Sequence, residues 1–293
     1  MELIDGKKIA EEIRSEIATE VRKMIAAGIK APHLTAILIG EDPASQTYVA
    51  NKEKDCHEAG FISSVYRYPA NIGETELLKA IDFINNDDEV DGLIVQLPLP
   101  GHISAAKVLE KINPSKDVDG FHPSNVGRMV LNLPTYYPAT PWGIMQLLKR
   151  SKVEIAGNHC VVLGRSNIVG TPMSILISRN HPDANATVTL CHSKTKNIKE
   201  ICQSADILIS AIGKYEYVTA DMVKDGAVVI DVGIHRIEAP ETKSGFKLKG
   251  DVKFDEVSKK CSFITPVPGG VGPMTRVALL MNTLKAAKKE IYL

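Results

Sequence analysis

The chain predicts an α/β protein of two α/β domains with an interdomain cleft, the second domain a parallel sheet. Three observations lead there. Short apolar runs alternate with amphipathic stretches from the N-terminus to about residue 112. The alternation stops over 113–141, "NPSKDVDGFHPSNVGRMVLNLPTYYPATP", and restarts at "HCVVLG" (159–164). Strands alternating with helices build parallel sheets. A long irregular connection within a compact chain marks a domain boundary or an active-site wall. The expected domains are 1–140 plus 272–293, and 141–271.

In the first domain, Asp5 caps a helix whose stripe is Ile9, Ile13, Ile17, Val21 and Met24, closed by Gly28. "LTAILIG" (34–40) reads as a buried strand, and after the loop "EDPAS" a helix carries Tyr48 and Lys52 to Gly60. "SSVYRYP" and "DGLIVQLPLP" (91–100) are the next strands, separated by the helix "TELLKAIDFIN" and followed by "SAAKVLEKI". Beyond the irregular segment, "WGIMQLLKR" is a helix with Pro141 in its first turn. In the second domain the strands are "HCVVLG", "ATVTLCH", "DILISAIG" and "AVVIDVG", with helices "VGTPMSILISR" and "NIKEICQSA" between them. A glycine-rich turn then runs into a long final helix.

Bulk properties exclude several classes. Thirty-five basic residues balance thirty-five acidic ones, so no global field draws the chain to nucleic acid or to a membrane. The charged N-terminus has no signal-peptide core, and no apolar run approaches the ~18 residues that span a bilayer. A soluble cytoplasmic protein is the expectation. The five cysteines, Cys56, Cys160, Cys191, Cys202 and Cys261, form no CxxC, so no metal is expected and the thiols read as buried and inert.

"VVLGRSNIVGTP" is the strongest local signal. Gly164 and Gly170, with the small Ser166 between them, form a variant of the glycine turn of Rossmann-like folds. Small residues there let a backbone approach a pyrophosphate, and the helix start offers unpaired amides. The next strand ends in "CHSKTK" (191–196), with Ser193 and two lysines where an NAD site places a carboxylate. With Arg165, this chemistry suits a 2′-phosphate and favours NADP.

"YVANK" puts Tyr48 and Lys52 four positions apart, on one helix face. Short-chain dehydrogenases use that spacing, but after the cofactor turn and within the same domain. Here the pair precedes the turn by more than a hundred residues, which excludes that reading.

"GEDPASQTYVANKEKDC", "VDGLIVQLPLPGHI", "PSKDVDGFHPSNVGR", "GRSNIVGTP" and "TPVPGGVGPMT" together resemble the bifunctional methylenetetrahydrofolate dehydrogenase/cyclohydrolases, in unbroken order across nearly the whole chain. The resemblance implies oxidation of 5,10-methylenetetrahydrofolate with NADP, then hydrolysis to 10-formyltetrahydrofolate, within one-carbon metabolism and purine biosynthesis. It implies Lys52 as the catalytic lysine, Gln96 as its neutral partner and Asp119 as the residue that binds the pterin. Tyr48 is implied as a wall of the folate pocket, with Gly270 and Thr275 as further tetrahydrofolate contacts. Gly164, Arg165, Ser166, Gly170, Ser193 and Ile234 are implied to bind NADP, and a homodimer to form through the cofactor domains. Two departures stand out: Ala139 where the family often has cysteine, and Tyr215 where it often has proline. The alternatives are a monofunctional dehydrogenase of the same family and a non-catalytic dinucleotide-binding module.

Overall fold

The computed structural model describes residues 1–242 and 245–292. In chain order its elements are β1 (Glu2–Leu3), α1 (Gly6–Ala26), β2 (His33–Ile39), α2 (Pro43–Ala59), β3 (Ile62–Tyr68), α3 (Glu74–Asn85) and β4 (Gly92–Val95). There follow α4 (Ala105–Lys111), α5 (Pro123–Val130), α6 (Ala139–Arg150), β5 (His159–Leu163), α7 (Gly170–Ser178), β6 (Thr187–Cys191) and α8 (Ile198–Gln203). The last are β7 (Ile207–Ser210), β8 (Val228–Asp231), β9 (His235–Glu238), β10 (Phe246–Lys249), α9 (Phe254–Val257), β11 (Phe263–Ile264) and α10 (Val271–Ala287). They fall into two compact units, one of 11–139 with 276–293 and one of 1–10 with 140–275.

The smaller sheet belongs to the first unit and runs β3-β2-β4, all parallel. β2 is an apolar run buried from Leu34 to Ile39, as a central strand covered on both faces must be. Leu77, Ile81 and Ile84 of α3 pack with Ile37, Leu93 and Val95 of the sheet in one core. In α1 the expected stripe is inward: Ile13, Ile17, Val21 and Met24 are buried, and Asp5 caps the first turn by accepting from the Lys8 amide at 3.0 Å. α2 starts inside the stretch expected as a loop. Asp42 accepts from the Ser45 amide at 2.7 Å and Pro43 occupies the first turn, which together begin a helix.

The larger sheet belongs to the second unit. Its order is β1-β11-β8-β7-β5-β6, with every pair parallel. β5, β7 and β8 are central and apolar, and Val161, Leu163, Leu208 and Val229 anchor the core. All five cysteines are buried and free, as expected. Burial raises the thiols, Cys56 to about 12, so they stay neutral at physiological pH.

Three expectations about the elements need correction. Residues 1–10 cluster with the second unit instead of the first, because β1 pairs with β11. The third strand spans only Gly92–Val95, and the proline-containing stretch after it lies outside the strand. The irregular segment contains α5, started by Pro123 in the first turn and by the His122 ring, which accepts from the Ser124 amide. Its inward side chains Asn125 and Met129 are buried. The antiparallel β9–β10 pair was not expected at all.

Candidate active site

The first unit brings Tyr48, Lys52, Gln96 and Asp119 together. α2 places Tyr48 and Lys52 one turn apart, with the Lys52 Nζ 5.7 Å from the Tyr48 ring centre. β4 carries Gln96 just past its end, held by donation from its amide to the Ile37 carbonyl at 2.9 Å. Lys52 donates to Gln96 Oε1 at 3.2 Å, and Gln96 Nε2 donates to the Leu97 carbonyl at 2.7 Å. That second bond fixes the amide so that its oxygen faces the lysine. Lys52 is only 9% exposed.

Asp119 reaches the same place by a different route. Residues 116–118 run beside β4: Leu93 donates to the Lys116 carbonyl at 2.7 Å, and Leu93 bridges to Asp117. A Cβ on Gly92 would lie 2.8 Å from a Val118 methyl, so only glycine allows this approach. Asn282 of α10 donates to the carbonyls of Val118 and Tyr137, both at 2.8 Å, and pins the segment from behind. Asp117 is the structural member of "KDVDG": it is 1% exposed and accepts from the Phe121 and His122 amides and from Asn125. Burial pushes its carboxyl up to about 7, against those hydrogen bonds. Among the described residues, none donates a hydrogen bond to Asp119, and its side chain is half-buried. Its oxygens therefore remain available to a ligand.

The electrostatics follow from burial. Desolvation lowers the Lys52 ammonium well below the usual lysine range, opposed by the charge of Asp119. Burial raises the Asp119 carboxyl, opposed by Lys52. Burial also raises the Tyr48 phenol, opposed by the Arg276 charge, so it stays neutral. A lysine whose hydrogen-bond partner is an amide instead of a carboxylate gives up its proton more readily than a free one. Sequence reasoning missed the group beneath it. Asp55, one turn beyond Lys52, takes Arg14 at 2.8 Å and Arg276 at 2.6 Å. Its place on the Lys52 face of α2 was the available signal.

The remaining expected residues lie in the second unit. Gly164 sits at φ 111, and a Cβ there would meet the Ala211 carbonyl oxygen at 2.2 Å. A Cβ on Gly170 would lie 1.9 Å from the Gly164 carbonyl oxygen. The two glycines thus let the start of α7 close onto the end of β5, the packing a dinucleotide turn requires. Ser166 holds the turn into α7, its Oγ accepting from the Val169 amide at 3.2 Å and the Gly170 amide at 3.5 Å. Arg165 is exposed beside it. Ser193, Lys194 and Lys196 are exposed just beyond β6, in a turn held by donation from the His192 amide to Thr195 Oγ1 at 2.9 Å. Ile234 is 50% exposed beyond β8, an apolar side chain left open at a strand end. Gly270 lies against the Pro266 carbonyl, where a Cβ would approach to 2.6 Å. The Thr275 hydroxyl is engaged with that of Thr140 at 3.0 Å.

The residues around β5 fit a phosphorylated dinucleotide: a tight glycine turn, a helix start and exposed cations past the neighbouring strand. A family model described as the tetrahydrofolate dehydrogenase/cyclohydrolase catalytic domain matches residues 4–119. The model of that family's NAD(P)-binding domain matches residues 138–291. The bifunctional protein FolD of Cytophaga hutchinsonii is 61% identical over 287 residues, 98% of this chain and 99% of that protein. That of Bacteroides thetaiotaomicron is 59% identical over 292 residues, the full length of both. Among solved structures, the bifunctional FolD methylenetetrahydrofolate dehydrogenase/cyclohydrolase of Campylobacter jejuni superposes with a TM-score of 0.93 at 48% identity, covering 99% of each chain. The Trypanosoma brucei N5,N10-methylenetetrahydrofolate dehydrogenase-cyclohydrolase, solved with NADP cofactor and an inhibitor, gives 0.93 at 38% identity over 99% of this chain and 98% of that one.

Proposed function

The chain belongs to the tetrahydrofolate dehydrogenase/cyclohydrolase family, and from that premise we propose how its residues divide the work. It is a bifunctional enzyme that oxidises 5,10-methylenetetrahydrofolate with NADP and hydrolyses the methenyl product to 10-formyltetrahydrofolate. The observation that carries the residue roles is the buried Lys52 paired with the neutral Gln96 oxygen.

NADP supplies the acceptor for the hydride that leaves the bridging carbon. Gly164, Arg165, Ser166, Gly170, Ser193 and Ile234 hold it, with Arg165, Lys194 and Lys196 available for its 2′-phosphate. The nitrogen lone pairs of the folate drive the hydride out, so no side chain needs to remove a proton from a heteroatom. This half-reaction asks for alignment.

The second half-reaction does need a base. Water adds to the methenyl carbon, and neutral Lys52 takes a proton from it. The adduct's hydroxyl then gives its proton to solvent as the bond from that carbon to N5 breaks; N5 takes the proton held by Lys52, and the formyl group stays on N10. The cationic substrate adds to the burial that keeps Lys52 neutral, and Gln96 holds the amine without restoring its charge. Tyr48 forms an apolar wall. The half-buried carboxylate of Asp119 accepts from the adjacent amino and ring N–H groups of the pterin, with Gly270 and Thr275 as further substrate contacts. A homodimer, a place in purine biosynthesis and a cytoplasmic location accompany this reading, and their support is the family alone.

The test supplies methenyltetrahydrofolate with no nucleotide and follows its loss against the spontaneous rate. Gln96→Glu should slow this hydrolysis at neutral pH by about tenfold or more, because a carboxylate at this distance raises a neighbouring ammonium by roughly 1–3 pKa units. The loss should be recovered as pH rises. A Gln96→Glu profile that overlays the native one would remove Gln96 from the mechanism.

A further inference from the structure

Asp251 lies just past β10 and is fully buried, at 0% exposure. Its carboxylate accepts from three consecutive amides, those of Ile212 at 2.9 Å, Gly213 at 3.1 Å and Lys214 at 2.9 Å. It also accepts from Ser210 Oγ at 3.3 Å and from His235 Nε2 at 2.8 Å. One side chain therefore holds both the loop after β7 and the residue that opens β9. A second buried carboxylate holds the first in place. Asp231, 3% exposed at the end of β8, accepts from the amides of Asp251 at 2.9 Å, Val252 at 3.0 Å and Gly233 at 3.0 Å. A Cβ on Gly233 would lie 2.3 Å from Asp251 Oδ1, and one on Gly250 1.8 Å from Asp231 Oδ2. The Tyr215 ring stands edge-on to the His235 ring, their centres 6.1 Å apart.

Two buried carboxylates are a costly way to hold a fold, since each ion loses its hydration. These two are concentrated on loops at the C-terminal ends of adjacent strands, where open α/β sheets bind their ligands. The strand order β8-β7-β5-β6 fixes which part of the ligand is concerned. With the pyrophosphate at the turn after β5 and the 2′-phosphate beyond β6, the nicotinamide half extends toward β7 and β8. Ile234 sits there between Gly233, held by Asp231, and His235, held by Asp251.

Resting on the NADP reading above, we propose that Asp251 is the positioning residue of the nicotinamide half of the site. It fixes loop 212–214 and residues 233–235 as one rim, with His235 as its second anchor, and so presents Ile234 to the ring. Asparagine cannot replace it. An amide has one accepting oxygen, and its NH2 would face backbone N–H groups, so the rim must move.

Calorimetric titration with NADP, on the native enzyme and on variants, tests this. Hydrolysis of methenyltetrahydrofolate without nucleotide reports whether the variants retain the lysine site. Asp251→Asn should bind NADP at least about tenfold more weakly, the scale of lost bonds to a charged group, with nucleotide-free hydrolysis within about twofold of native. His235→Phe should weaken NADP in the same direction, and His235→Gln, whose amide can donate to Asp251, should restore it. Native NADP affinity in Asp251→Asn overturns the proposal. If Asp251→Asn fails to fold, the His235 pair decides: weakening by Phe with rescue by Gln supports the proposal, and equal affinity in both overturns it. A native enzyme that binds no NADP overturns the cofactor reading and this inference with it.

Discussion

Lys52→Met should cut cyclohydrolysis severely and leave hydride transfer running. The expected loss is about 10²- to 10⁴-fold in the hydrolysis of methenyltetrahydrofolate, the usual contribution of a positioned general base. The variant should fold, because Met keeps the length of the side chain and removes a group whose charged form burial already disfavours. Among the described residues, its loss strands only the Gln96 oxygen, which is half-buried. Oxidation needs alignment and no base, so NADPH formation should stay within about tenfold of native. The pH profile separates a base from a packing residue. In the native enzyme hydrolysis should rise as pH rises through the lowered Lys52 pKa and then level off. In Lys52→Met that rise should disappear. Equal hydrolysis in the two proteins would show that the lysine is not the base.

Asp119→Asn should impair both activities together through substrate binding. Its carboxylate offers two accepting oxygens to two adjacent donors, and asparagine offers one oxygen and an opposing NH2. Loss of a charge-assisted bond is worth about 1.5–3 kcal/mol, so KM for the folate should rise roughly 10- to 100-fold in each reaction. KM for NADP should not change. A second effect has a definite sign. The Asp119 charge raises the Lys52 pKa against burial, so removing it lowers that pKa further. The pH profile of hydrolysis should therefore move toward acid even as folate binding weakens. An unchanged KM for folate would take Asp119 out of pterin recognition, and an unmoved profile would deny its coupling to Lys52.

The parts of the fold legible in the sequence were those with a strong period. β2 and β5 are runs of buried apolar residues, and α1 carries a regular stripe, so each was visible from spacing. β9 and β10 alternate charged with partly buried residues over four positions each, too short and too polar to stand out. β1 and β11 are two residues long and exist because they pair with each other and β8, which no local pattern announces. α5 was hidden by the prolines and glycine around it, because its stability comes from a cap and from the buried Asn125.

The site was legible in the same uneven way. Tyr48 and Lys52 share a helix face, and their spacing showed it. Gln96 meets Lys52 across forty-four positions of chain, a pairing set by the register of β4 against β2. Only the family resemblance pointed to it. Asp55 shares the Lys52 face of α2, but nothing in the spacing signalled its bridge to Arg14 and Arg276, nor the dependence of two loops on Asp251. Those residues act through partners far away in sequence.

The most direct test of a two-step enzyme is one absorbance time course. Purified native protein is given 5,10-methylenetetrahydrofolate with NADP, and reduced nucleotide and methenyl intermediate are followed together. The account predicts that NADPH appears while methenyl stays far below the level set by its spontaneous hydrolysis. NADPH with methenyl accumulating to that uncatalysed level would contradict it, leaving a dehydrogenase whose Lys52 site does no hydrolysis.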